Sequence, residues 1–125
     1  MKGGFRMSKI SLGEIVSDYI DEMKKIAPSY GTKSFSDQSN ISRTYIWTIL
    51  KRNDMHNFSN NIIVGVAKTI KIKEEDLKFI LSSDDGKEIY FKRKELLKKA
   101  NDILQRSSND ELEVYLSLFE KISTL

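Results

Sequence analysis

Cysteine is missing from all 125 residues, which excludes disulfide frameworks, Cys-based zinc sites and thiol nucleophiles, and fits a reducing cytoplasm. Histidine occurs once, as His56. Set in a polar loop with no second His or Cys to share a metal, it is expected to face solvent. No apolar run approaches the roughly 18 to 20 residues that cross a bilayer. The opening Met1-Lys-Gly-Gly-Phe-Arg-Met7 also lacks the apolar stretch of a signal peptide. The expected location is therefore cytoplasmic, with no membrane partner, no cofactor and no metal. Few catalytic options remain. Glu74, Glu75 and Asp76 are the acids most suggestive of a small hydrolase, but three acids at a predicted helix start more simply stabilise that end of the helix dipole. The chain is expected not to be an enzyme.

Net charge is modest, +3 with a pI near 9.0, yet charge is segregated along the chain. No acid stands between Asp37 and Asp54, where Arg43, Lys51 and Arg52 fall, whereas acids gather at Glu74 to Asp76 and again from Asp110 onward. A basic run, Lys87, Lys92, Arg93, Lys94, Lys98 and Lys99, precedes that acidic tail and reads best as a solvated helix face, with contact to flanking DNA as the alternative.

What the sequence has in abundance is apolar residues at helical spacing. Leu12, Ile15, Val16, Tyr19, Ile20, Met23 and Ile26 form one stripe, opened by Ser11 as N-cap and closed by Ala27 and the single proline, Pro28. A short segment from Thr32 to Ser39 follows, then another with Ser42 as N-cap and Ile46, Ile49 and Leu50 inside. The stretch 53–57 breaks the pattern. Ser59 opens a fourth segment carrying Ile62, Ile63, Val66, Ala67 and Ile70, and Glu74 to Leu81 makes a fifth. Ser82-Ser-Asp-Asp-Gly86 reads as a linker. Beyond it, Ile89, Leu96, Leu97, Ala100, Ile103 and Leu104 mark a longer helix, and Ser108-Asn-Asp-Glu111 is a capping box for a last one. The fold class is all-α. Residues 1–10 are expected to be a flexible N-terminal arm, 11–81 a five-helix domain, 82–86 a linker and 87–125 a C-terminal helical hairpin.

Thr32 to Lys51 is the segment that points to a function. Two short helices crossing steeply need a small residue where they meet, and Ser36 follows the apolar Phe35. The turn needs a residue that tolerates positive φ, and Asn40 is one of the few besides glycine that does. Ile41, Ile46 and Ile49 would then seat the second helix, leaving Arg43, Thr44, Trp47, Thr48 and Lys51 facing outward.

The stretch Ser39-Asn-Ile-Ser-Arg-Thr-Tyr-Ile-Trp-Thr-Ile-Leu-Lys-Arg-Asn53 resembles the lambda-repressor and Cro-like (XRE) helix-turn-helix family, whose members commonly read Ser-Gly-Val-Ser-Arg-Ser-Tyr-Ile-Ser-Lys-Ile-Glu-Arg-Gly there. The run from Ile62 to Leu77 is similar to that family's fourth and fifth helices. Departures lie at Thr32, where the family usually has Gln, and at Leu50 to Arg52, where it has Glu-Arg-Gly. The resemblance implies a lambda-repressor-like DNA-binding domain acting as a transcriptional regulator, most simply a repressor of phage or mobile-element type. It also implies that Ser42 to Lys51 enters the major groove. Ser42, Arg43, Thr44, Trp47 and Thr48 are then the base-contact candidates, with Arg43 suited to guanine. Thr32, Lys33, Tyr45, Lys51, Arg52, Asn53 and Asn57 are the phosphate-contact candidates.

The expected partner is double-stranded DNA, bound by a homodimer. Leu112, Tyr115, Leu116, Phe119 and Ile122 are the candidate dimerisation residues. The competing expectation is an antitoxin-like interaction module that autoregulates its operon, with a toxin or another protein antagonist as partner.

Overall fold

The computed structural model describes residues 8–51 and 58–124. Among them the secondary structure is entirely helical: α1 (Leu12–Ile26), α2 (Thr32–Ser39), α3 (Arg43–Lys51), α4 (Asn60–Ile70), α5 (Glu74–Ser82), α6 (Gly86–Gln105) and α7 (Asn109–Ser123). The chain divides into two compact units, one ending at Tyr90 and one beginning at Phe91.

In the first unit, local chemistry sets the helix ends. The Ser11 hydroxyl accepts from the Glu14 backbone N–H at 3.1 Å, and a Glu14 carboxylate oxygen accepts from the Ser11 N–H at 3.2 Å. This reciprocal cap contributes about 1 kcal/mol. At the other end of α1, Ala27 is extended because the proline that follows disfavours helical backbone. Tyr30 then turns inward to 7 % exposure and donates its hydroxyl proton to Gln38 at 2.6 Å. Burial, with Tyr19 adjacent, pushes the Tyr30 phenol up to about 12, so it remains a donor at neutral pH. The Tyr19 ring meets Tyr30 and Phe35 edge-on, at centroid distances of 6.2 and 5.9 Å, a favoured aromatic geometry.

The core joins all five leading helices. Leu12, Ile15 and Val16 of α1, Phe35 of α2, Ile46 and Ile49 of α3, Val66 of α4 and Leu77 of α5 are each wholly buried. Helix α4 ends on Lys71 in the left-handed region (φ 62°), and Ile72 returns to the core, its N–H donating to the Ala67 carbonyl at 3.0 Å.

Two expected boundaries move. The segment taken as a flexible arm, 1–10, is fixed over its last three residues. Ile10 is 1 % exposed, the Ser8 N–H donates to Glu88 at 3.0 Å, and the Ser8 carbonyl accepts from the Lys87 N–H at 2.9 Å. An apolar side chain that size gains too much from burial to stay in water. Residues 1–7 lie outside the described residues. The segment taken as a linker, 82–86, is a tight turn against the core: a Cβ on Gly86 would collide with the Ile80 carbonyl oxygen. The first turn of α6 also belongs to this unit, where Tyr90 is buried and donates to Asp18 at 2.8 Å. The first unit therefore runs on to Tyr90 rather than ending at Leu81.

The second unit contains the rest of α6 and all of α7. Ser108 and Glu111 form a second reciprocal cap, at 3.2 and 2.8 Å. The two helices join at the turn 106–108 with few contacts between them, and no residue of α7 is buried.

Candidate nucleic-acid interface

Helices α2 and α3 are short, so what holds them matters more than their intrinsic preference. Phe35 anchors α2 in the core. Asn40 caps it in the left-handed region, φ 62° and ψ 29°, its N–H bonded to the Ser36 carbonyl at 2.9 Å. An Asn side chain tolerates that backbone where most residues do not. Two serines satisfy the turn that follows: the Ser36 hydroxyl donates to the Ile41 carbonyl, and the buried Ser39 hydroxyl accepts from the Ile41 N–H at 3.3 Å.

A second close approach, between α4 and α2, lies at Gly65. A Cβ on Gly65 would stand 2.6 Å from the Ser39 carbonyl oxygen, so α4 rests directly on the end of α2 because position 65 has no side chain. This packing fixes the turn from behind.

Helix α3 starts after Ser42, whose hydroxyl accepts from the Tyr45 N–H at 3.2 Å. Ile46 and Ile49 face inward, and Tyr45 and Leu50 lie half-buried against the core. The opposite side carries Arg43, Thr44, Trp47 and Lys51, all exposed, with Thr48 half-buried. At about 100° per residue, Thr44, Thr48 and Lys51 fall on one stripe, with Arg43 and Trp47 on the next. The Thr48 hydroxyl donates to the Thr44 carbonyl at 3.1 Å.

The structure brings part of the candidate phosphate set to this face. Thr32, half-buried at the start of α2, and Trp47 line one hollow of about 360 Å³, together with Ile20, Asp21 and Lys24 of α1. Trp47, 49 % exposed, is thus turned toward α1 and α2, away from the Thr48 flank. Lys33 is exposed on α2 and Lys51 on the last turn of α3. Arg52, Asn53, His56 and Asn57 lie outside the described residues. Leu112, Leu116, Phe119 and Ile122 are exposed on α7, and Tyr115 is half-buried.

Sequence reasoning passed over Lys24 and Asp21. They lie on α1 on the polar side next to Ile20, where the only signal is a polar residue at helical spacing, shared with any solvated face. Gly65 left a clearer signal, a glycine inside an otherwise apolar helix. Electrostatically the face is simple: no acid occurs on α3, and none of the ionisable side chains on it is buried. Among the described residues, no group of His, Cys, Asp and Glu is arranged to hold a metal ion. Glu74 of the acidic run is paired with Lys78 at 2.7 Å, within the first turn of α5.

Comparison with protein-family models, with curated proteins and with solved structures found no match to this chain.

Proposed function

We propose that the chain is a sequence-specific DNA-binding regulator whose first unit is a lambda-repressor-like helix-turn-helix domain, and that it is not an enzyme. The observation that carries this reading is helix α3. Ile46 and Ile49 hold it from behind, the Ser36, Ser39 and Asn40 turn fixes its start, and it presents an acid-free outer side of Arg43, Thr44, Thr48 and Lys51. A rigid helix with that side chain set suits the major groove, where forked and hydroxyl groups meet base edges and terminal cations meet phosphates.

Arg43, Thr44 and Thr48, with Ser42 at the helix start, form the proposed base-reading set. Lys51, Lys33 and Thr32 form the proposed phosphate set, with Tyr45 beside them. Trp47, read from the sequence as a base contact, is proposed instead for the sugar-phosphate edge, a reading supported by the hollow it shares with Thr32. A single module of this size touches few base pairs, so two copies on a two-fold site, with half-sites about 34 Å apart, give the specificity a regulator needs. Repression by occupancy of a promoter is the simplest outcome.

Selection of bound sequences from a random DNA pool tests this directly. The expected result is a two-fold symmetric motif, and recovery of no motif would overturn the reading. Arg43→Ala should cost about 1–3 kcal/mol on the selected site and little on random DNA, whereas Lys51→Ala should weaken both and lower the salt slope by about one. Equal weakening of all sequences by the Arg43 change would remove it from the base-reading set.

The exposed apolar side chains of α7 favour a second reading, an antitoxin-like module whose tail holds another protein. Such a chain purified from its native cells would carry that partner in fixed ratio.

A further inference from the structure

The second unit has more apolar surface than it can cover. On α7, Leu112, Leu116, Phe119 and Ile122 lie on one side with the half-buried Tyr115, and Val114 and Leu118 continue the apolar surface round the helix. At about 100° per residue these side chains spread over roughly 200° of the circumference. A helix with one neighbour shows a stripe nearer 100° wide; an arc twice that width suits a helix touching two neighbours. Within the second unit of one copy, only α6 is available. That helix exposes Leu96, Leu97 and Ile103 in turn.

Charge indicates what completes the set. From Phe91 to Gln105, α6 carries five cations and two acids, while α7 carries four acids and one cation. The charges also fall in register. Lys92 and Lys99 stand seven residues apart along one edge of the α6 apolar stripe, and Glu113 and Glu120 stand seven apart along one edge of the α7 arc. All four are exposed. The ammonium of Lys99 contacts Glu95 of its own helix at 3.1 Å, an exposed pair worth little and readily exchanged.

We infer that the second unit is completed by a second copy of this chain, the α7 of each copy packing on the α6 of the other in a four-helix arrangement, with Glu113 and Glu120 facing the partner's Lys92 and Lys99. Two copies give every α7 two helical neighbours, and unlike charges alternate around the bundle. The inference rests on the two-copy part of the function proposed above and is independent of DNA binding.

Sedimentation of the full chain with reversed charges provides the test, with helix content measured alongside. Wild-type protein should sediment as two copies. Glu113→Lys with Glu120→Lys in one chain, and Lys92→Glu with Lys99→Glu in another, should each shift the mass to a single copy. Mixing the two chains should restore the two-copy mass, because each reversed helix then meets an unlike helix only across copies. A chain carrying all four substitutions should also recover it.

If the four-substitution chain recovers while the mixture stays single, the pairing is within one copy and the inference is overturned. It is overturned equally if neither double substitution changes the mass, or if lost helix content is not regained on mixing. A single-copy wild type would overturn the two-copy reading itself, and a wild type holding a different protein would support the antitoxin-like one. Failure of DNA binding would appear separately, as a selected pool without a motif from protein of two-copy mass.

Discussion

Position 65 shows how one missing side chain can govern a distant surface. Replacing glycine by alanine inside a helix ordinarily gains up to about 1 kcal/mol from propensity. Here the added carbon would press on the Ser39 carbonyl, a backbone atom that cannot rotate away, and overpacking of this kind costs about 1–3 kcal/mol. The collision outweighs the propensity. Gly65→Ala should therefore lower stability in denaturant unfolding, against the usual direction for a helical glycine. Under the proposed function it should also weaken DNA binding, because the atom displaced belongs to the turn that orients α3. A stabilised variant would mean that α4 does not bear on the turn.

Among the elements, those whose ends depend on neighbouring residues were legible in the sequence. The Ser11 N-cap, the Ser108–Glu111 box, the stop before Pro28 and the left-handed Asn40 all follow from side-chain chemistry within four residues, and the structure shows each, adding Glu14 as the partner of Ser11. What could not be read depends on contacts between residues distant in sequence. Ile10 looked like the end of an arm because a single apolar residue before a cap carries no periodicity. Gly86 looked like a linker glycine because the Ile80 carbonyl it accommodates becomes a neighbour only after folding. At the candidate interface the outward set of α3 was legible from its 3.6-residue period, while the turning of Trp47 toward α1 was not.

Glu14 links two of these elements, since its carboxylate caps α1 and lies 3.2 Å from Lys87 of α6. Partial burial pushes its pKa up, but the Ser11 backbone N–H and the Lys87 ammonium outweigh that and hold it below the usual 4.5. A depressed carboxylate contributes stability above its unfolded value and loses it as pH falls through the folded one. Thermal midpoints of wild type and Glu14→Gln should thus differ near neutral pH and converge once pH falls below 4.5. A gap that persists into acid would show that the carboxylate charge is not what matters.

For the molecule as a whole, the position of the first unit's end has a measurable consequence. Ile10, Gly86 and Tyr90 tie residues 8–10 and the start of α6 to the core, and Tyr90 adds its bond to Asp18. Burial and the adjacent Asp18 carboxylate push the Tyr90 phenol well up, so that bond persists through ordinary pH. A chain cut after Tyr90 should melt cooperatively, whereas one cut after Leu81 should melt several degrees lower, about 1–3 kcal/mol having gone with the aromatic ring. Equal midpoints would return the boundary to Leu81. Among the described residues no helix is long and apolar enough to cross a membrane.

The small bond between Thr48 and the Thr44 carbonyl bears on which letters of a DNA site the proposed reading face would accept. While its proton is donated to its own helix, Thr48 offers a base pair two lone pairs and a methyl group. Those suit the exocyclic amino group of adenine or cytosine and the methyl of thymine, and they offer nothing to the bare acceptors of guanine. In the proposed half-site, guanine is left to Arg43, and the base opposite Thr48 should be drawn from the other three.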